Sequence, residues 1–103
     1  MALETVEFIL GEKKEISIEV HSVYNEVFNV TSGSFCLTDS DGATAVDVTA
    51  TLYIETIDDE EICKEIYYTL DTTGMDLGKY TGVFTYVVNG EILKYKFIVS
   101  IVE

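Results

Sequence analysis

Apolar and polar residues alternate with a period of two along most of this chain, and no stretch shows the 3.6-residue period of an amphipathic helix. The runs with this alternation are residues 5–10, 15–21, 46–55, 62–70, 80–88 and 92–102. A weaker strand is expected around Phe35 and Leu37. Runs of this kind, separated by Gly, Asp and Asn, predict half-buried antiparallel strands in an all-β fold.

The alternation also predicts which side chains face the core. On the earlier strands the inward residues are Val6, Phe8, Leu10, Ile16, Ile18, Val20, Val46, Val48, Ala50, Leu52, Ile54, Ile66, Tyr68 and Leu70. On the last two strands they are Tyr80, Gly82, Phe84, Tyr86, Val88, Leu93, Tyr95, Phe97, Val99 and Ile101. We expect Met75 and Leu77 to plug the end of the core, and Cys36 and Cys63 to be outward-facing structural thiols.

Residues 71–102 contain the most specific local signals. Asn89-Gly90 between two apolar runs predicts a type I′ hairpin turn, because both central residues of that turn need positive φ. Before it, Asp76-x-Gly78-x-Tyr80 resembles the tyrosine corner of immunoglobulin-type domains, in which a Tyr bonds back to upstream backbone. The prediction is one domain, residues 1–103, folded as an immunoglobulin-like Greek-key sandwich of about seven antiparallel strands.

The outward positions of the last two strands are more apolar than a face open to water would be. These residues are Val83, Val87, Ile92, Ile98 and Val102, with Lys94 and Lys96 between them. We predict an interface formed by Val83, Val87, Ile92, Lys94 and Ile98, against another protein or a second copy. Two alternatives stay open: another segment of the chain covers the stripe, or a β-bulge shifts its parity by one residue.

The negative charge of the chain limits the classes of molecule that it can bind. It has six Lys and no Arg against 19 acidic residues, a formal net charge of −13. Nucleic acid and anionic membrane are therefore poor partners, since both require clustered cations. The first fifteen residues lack the basic segment of a secretory signal, and no run has the roughly twenty apolar residues that span a bilayer. We expect synthesis and retention in the cytoplasm.

No motif predicts catalysis, a cofactor or a metal. His21 is the one imidazole and has no nucleophile beside it in the sequence, so we expect no enzymatic activity. Asp39-x-Asp41-Gly42 resembles the start of a calcium loop, but Ala50 stands where an EF-hand needs a bidentate Glu, so a plain turn is expected. Three tyrosines could form a sugar-stacking face, although cross-strand packing is the commoner role: Tyr24, Tyr53 and Tyr67.

Three short segments together resemble the small immunoglobulin-like domains of tailed-phage and prophage structural proteins. They are Thr38 to Gly42, Asp71 to Gly74 and Gly78 to Tyr80. The resemblance implies a non-enzymatic virion component, a capsid accessory or decoration subunit or a tail subunit. It would be made in the bacterial host cytoplasm without a signal peptide, and its partners would be other virion proteins or itself. The alternative is a cell-surface adhesion module, or one that binds glycan or calcium.

Overall fold

The computed structural model describes residues 3–20 and 28–103, and the regular elements in these residues are all β-strands. The strands are β1 (Thr5–Ile9), β2 (Lys13–Glu19), β3 (Val30–Thr38), β4 (Thr44–Thr49), β5 (Thr51–Ile57), β6 (Glu60–Asp71), β7 (Gly78–Val88) and β8 (Glu91–Val102). The large sheet has the order β1-β8-β7-β3-β4 and the small sheet the order β2-β6-β5. The all-β prediction is confirmed. No helix that could cross a bilayer occurs in the described ranges.

Two details of the strand arrangement differ from the prediction. The described residues form eight strands rather than about seven, and β1 runs parallel to β8 instead of antiparallel. The additional strand comes from the run 46–55, which the structure divides between the two sheets: β4 pairs with β3, and β5 pairs with β6. The division falls at Ala50, which is buried and donates its N–H to the carbonyl of Gly33 at 3.0 Å.

An aromatic cluster occupies the space between the sheets. The ring of Phe35 stacks on Tyr68 at 4.9 Å between centroids and lies 5.1 Å from Phe84. Phe97 stacks on Phe84 at 5.7 Å. The predicted inward residues that are buried, apart from Phe84 and Phe97, are Phe8, Ile16, Ala50, Ile66, Leu70, Tyr80, Gly82, Val99 and Ile101. The period-two alternation therefore identified the centre of the core correctly.

Four residues expected in the core are exposed instead: Leu10, Ile54, Leu77 and Leu93. Leu93 is 39% exposed at the hairpin end of β8, because three strands of the small sheet cannot cover the whole inner face of five. Ile54 lies on β5, an edge strand, beside a register shift. Leu10 and Leu77 lie in connecting segments, where strand parity does not apply. Of the two residues expected to close the end of the core, only Met75 packs against it.

Cys63 was predicted to face outward and is buried. The small-sheet register passes from the pair Tyr53–Glu65 to the pair Ile54–Cys63, so Lys64 is an extra residue in β6. Such a bulge shifts the parity by one, which turns Cys63 towards the core. Its N–H donates to Asn29 Oδ1 at 2.6 Å, and its Sγ donates to the carbonyl of Glu65 at 3.1 Å. Cys36 is half-buried on β3.

The hairpin turn and the corner show the geometry expected for their motifs. Asn89 and Gly90 have φ values of 51° and 79° between the paired residues Val88 and Glu91, as in a type I′ turn. The Tyr80 hydroxyl donates to the carbonyl of Asp76 at 2.9 Å. Gly78, with φ of 135°, adopts a conformation that side-chain-bearing residues rarely reach.

The β5–β6 turn offers a stability test. Asp58 and Asp59 join β5 to β6 with φ values of 50° and 64°, a strained conformation for residues with a side chain. Replacing them with Asn-Gly, as in the β7–β8 turn, should raise the free energy of unfolding by about 1 kcal/mol, because glycine adopts positive φ without steric cost. Denaturant unfolding measures the change. The reciprocal variant, Asn89→Asp with Gly90→Asp, should lower stability by a similar amount; equal stability of both variants would contradict the explanation.

Candidate interaction surface

The predicted interface residues lie together on the outer face of the large sheet. Val87 pairs with Ile92, Val83 with Lys96, and Thr81 with Ile98, and no register shift separates these pairs. We define the large-sheet face by its residues on β3, β7 and β8: Ser32, Ser34, Cys36, Thr81, Val83, Thr85, Val87, Ile92, Lys94, Lys96 and Ile98. Every described strand belongs to one of the two sheets, and the small sheet packs on the opposite side. No described strand therefore covers this face.

The large-sheet face combines exposed residues with half-buried ones. Ile92 is 69% exposed and Lys94 is also exposed. Val83, Val87 and Ile98 are half-buried among their cross-strand neighbours. Apart from Lys94 and Lys96, the members are Val, Ile, Thr, Ser and Cys, which are either β-branched, with few χ1 rotamers to lose, or short. Burying these residues against a partner costs less conformational entropy than burying long flexible side chains.

The electrostatic character of the large sheet differs from that of the whole chain. Its outward positions include Lys79, Lys94 and Lys96, half of the six lysines. Against these stand two outward acids on the edge strands, Glu7 on β1 and Asp47 on β4. The outer side therefore has a formal charge of about +1 in a chain of −13. A second copy of this negatively charged chain is therefore repelled least when it approaches this side.

The outer face of the small sheet has the opposite character. Tyr53 packs against Tyr67 with ring centroids 4.4 Å apart, and the Tyr53 hydroxyl donates to Glu15 Oε1 at 2.7 Å. Glu19, Glu65 and Tyr53 form one cross-strand row. We define the small-sheet face as Glu15, Glu19, Tyr53, Glu65 and Tyr67. Three of these residues, Glu19, Tyr53 and Glu65, line a cavity of about 150 Å³ together with Glu55, Ile57, Ile62 and Lys64.

Tyr53 and Tyr67 thus pack against each other across strands, the role expected to be the commoner one, while Tyr24 lies outside the described residues. His21 also lies outside them. Sequence reasoning missed the acidic members of the small-sheet face, Glu15, Glu19 and Glu65. Each follows the ordinary outward parity of its strand, and only the pairing of β2, β6 and β5 brings them beside the tyrosines.

The acids of the small-sheet face perturb Tyr53. The hydrogen bond to Glu15 raises the pKa of Tyr53 to about 12, because the carboxylate favours the protonated phenol, and the charge of Glu65 adds to the effect. Glu15→Gln should bring this pKa back towards 10, measured by the absorbance of phenolate against pH. Since the folded pKa exceeds the unfolded one, stability from this pair is present below pH 10 and is lost as pH rises towards 12.

Tyr53→Phe identifies the transition that belongs to Tyr53, because it removes one tyrosine from the titration and leaves Glu15 in place. The highest-pKa transition of the wild type should be absent from this variant. Identical titration curves for the wild type and Glu15→Gln would show that the Tyr53–Glu15 hydrogen bond does not form in solution.

The Asp39 segment forms a hydrogen-bonded turn. Asp39 Oδ1 accepts the N–H groups of Asp41 and Ala43, each at 2.9 Å, and the Asp39 carbonyl accepts from Gly42. This turn lies beside the corner, since Asp39, Asp41 and Asp76 line one cleft with Tyr80. Within the described ranges, no three acidic, Cys or His side chains are placed to hold a metal ion.

Neither a protein-family model nor a curated protein matches this chain.

Proposed function

We propose that this protein is a non-enzymatic structural protein of a phage particle, a capsid accessory or decoration subunit or a tail subunit, which assembles through the large-sheet face. The observation that carries the proposal is the apolar surface formed by Ile92, Val83, Val87 and Ile98, which no described strand covers. Exposed apolar patches rimmed by polar residues mark protein–protein contacts. Partners are other virion proteins or further copies of the chain, and the place of synthesis is the bacterial cytoplasm.

The strand order supports an immunoglobulin-like Greek-key fold. With β1 as strand A, the strands β2 to β8 correspond in order to B, C, C′, D, E, F and G. The small sheet then has the order B-E-D, and the large sheet contains G-F-C-C′, as in variable-type domains that lack C″. Tyr80 stands near the start of the strand that corresponds to F, where immunoglobulin-like domains have their tyrosine corner.

The phage assignment is supported by the resemblance of three segments, Thr38 to Gly42, Asp71 to Gly74 and Gly78 to Tyr80. The first and third line the same cleft. In the second, Thr72 is fully buried and bonds to the β1–β2 connection. All three motifs are turns or strand ends, which fits elements that define a fold rather than a reaction site.

The test replaces both Val87 and Ile98 with Asp in one variant. Two carboxylates on a desolvated contact should reduce incorporation into particles at least tenfold, because an unpaired charge in an interface costs more than 1.4 kcal/mol. The variant is co-expressed with the structural proteins encoded beside its gene, and its amount in purified particles is measured. Ser40→Asp with Thr44→Asp adds the same charge at exposed positions near the β3–β4 turn, and should leave incorporation unchanged. Normal incorporation of the Val87/Ile98 variant would rule out this face.

A cell-surface adhesion module, or one that binds glycan or calcium, is the second candidate. The packed rings of Tyr53, which is exposed, and Tyr67, which is half-buried, favour the glycan form of it, because sugars stack on such ring faces. Saturable glycan binding that is abolished by Tyr53→Ala with Tyr67→Ala and unaffected by Val87→Asp with Ile98→Asp would favour this function over assembly.

A further inference from the structure

The two outer faces of this sandwich are complementary to each other. The large-sheet face presents Lys94 and Lys96 between apolar residues, whereas the small-sheet face presents three glutamates around two tyrosines. Two copies of a chain with charge −13 repel each other, so the orientation with least repulsion places the lysine-bearing side of one copy against an acidic side of the other.

The spacing of the charged groups is compatible with this orientation. Lys94 and Lys96 are alternate residues on β8, so their Cα atoms are about 7 Å apart. Glu19 and Glu65 are directly opposite on neighbouring strands, about 5 Å apart, so two lysine side chains about 7 Å apart can each reach one of these carboxylates. The neighbouring Tyr53 and Tyr67 rings also attract ammonium groups.

We propose that the large-sheet face binds the small-sheet face of a second copy of this chain, with Lys94 and Lys96 lying against Glu19, Glu65 and Tyr53 of that copy. This inference rests on the proposed function, because it names the partner of the same face. The contact joins two different surfaces, so a pair of bound copies still has one free large-sheet face and one free small-sheet face. Such heterologous contacts build rings or filaments rather than closed two-fold dimers.

The area of the smaller face limits the affinity. Three strands spaced about 4.8 Å apart give a face about 14 Å wide. A face this narrow covers less area than a standard interface, which buries about 800 Å² on each partner. We therefore expect weak association of isolated molecules, to be measured at protein concentrations up to about 1 mM. Repetition of the contact within a particle would raise its effective strength.

Two charge-reversal variants test the proposal by sedimentation velocity, alone and mixed. Lys94→Glu with Lys96→Glu changes the formal charge from −13 to −17, and Glu19→Lys with Glu65→Lys changes it to −9. Each variant alone should associate at least about tenfold more weakly than the wild type, because one face then repels its counterpart. The equimolar mixture should associate again, since the reversed faces match each other.

The second variant separates the proposed contact from a general effect of net charge. Net charge alone predicts that the −9 variant associates more strongly than the wild type, whereas the proposed contact predicts that it associates more weakly. Circular dichroism checks that each variant is folded. If a charge-reversal variant does not fold, Lys94→Gln with Lys96→Gln and Glu19→Gln with Glu65→Gln replace the pair, and each should weaken association.

Two results would overturn the inference. A wild type that stays monomeric at about 1 mM would show that the partner is another protein; the effect of Val87→Asp with Ile98→Asp on particle incorporation would still test the proposed function. If the lysine variant alone loses association and the mixture does not recover it, the large-sheet face would pair with itself.

Discussion

Replacing Gly82 with alanine is expected to lower the free energy of unfolding by about 3 kcal/mol. Gly82 lies on β7 opposite Phe97 of β8, and a Cβ at Gly82 would approach Phe97 Cζ to 2.6 Å and Cε2 to 2.8 Å. The Phe97 ring cannot move aside freely, because it is 1% exposed and packs against Phe84, Phe35 and Tyr95. Denaturant unfolding monitored by circular dichroism measures the loss.

Gly33 provides a matched control on the neighbouring strand. Like Gly82 it is buried, and neither residue has positive φ, but a Cβ at Gly33 meets nothing closer than 3.2 Å, at the end of the Ile66 side chain. Gly33→Ala should therefore cost about 1 kcal/mol or less. Phe97→Leu should rescue part of the Gly82→Ala loss, so that the double variant is more stable than the sum of the single effects predicts. Strict additivity would show that the Phe97 ring does not cause the loss.

Thr72→Val is expected to cost about 2 kcal/mol, although the two side chains have nearly the same shape. Thr72 is fully buried between β6 and β7. Its hydroxyl donates to the carbonyl of Glu12 at 2.8 Å and accepts the N–H of Gly11 at 2.9 Å. Valine removes both hydrogen bonds and leaves the Gly11 N–H without its acceptor. These bonds tie the β1–β2 connection to the end of β6, so the loss should appear in global unfolding.

Thr72→Ser separates the hydrogen bonds from the packing of the methyl group. Serine keeps the hydroxyl and should retain more stability than valine. Thr69→Val, at an exposed position of β6, should change stability by no more than about 0.5 kcal/mol. A Thr72→Val protein that is as stable as the wild type would mean that water replaces the hydroxyl in its contacts with Gly11 and Glu12.

Gly82 and Thr72 also show how far the sequence predicts the structure. The alternation predicted Gly82 to face inward, but the reason why only glycine fits is the Phe97 ring, fifteen residues away on the paired strand. Thr72 lies in the segment Asp71 to Gly74, which was singled out for a resemblance, and its hydrogen-bond partners come from a segment about sixty residues earlier. Composition cannot specify contacts of that range.

The two outer faces also differ in how far the sequence predicts them. The interface residues on β7 and β8 could be predicted because these strands are joined by a two-residue turn, so their register follows from Asn89-Gly90. The small-sheet face could not be predicted, because Glu15 and Tyr53 belong to strands that both pair with β6 and are 38 residues apart. No local turn fixes their register.

The sequence by itself determined that the chain forms β-strands, which side of most strands is buried, and where the last hairpin turns. These properties depend on side-chain period and on the φ preferences of a few residues, and both are local. Only the tertiary structure decided that the run 46–55 divides between two sheets at Ala50, that a bulge at Lys64 buries Cys63, and that β1 runs parallel to β8. Alternation specifies a buried side but no partner strand, and hydrogen bonding between distant strands supplies the rest.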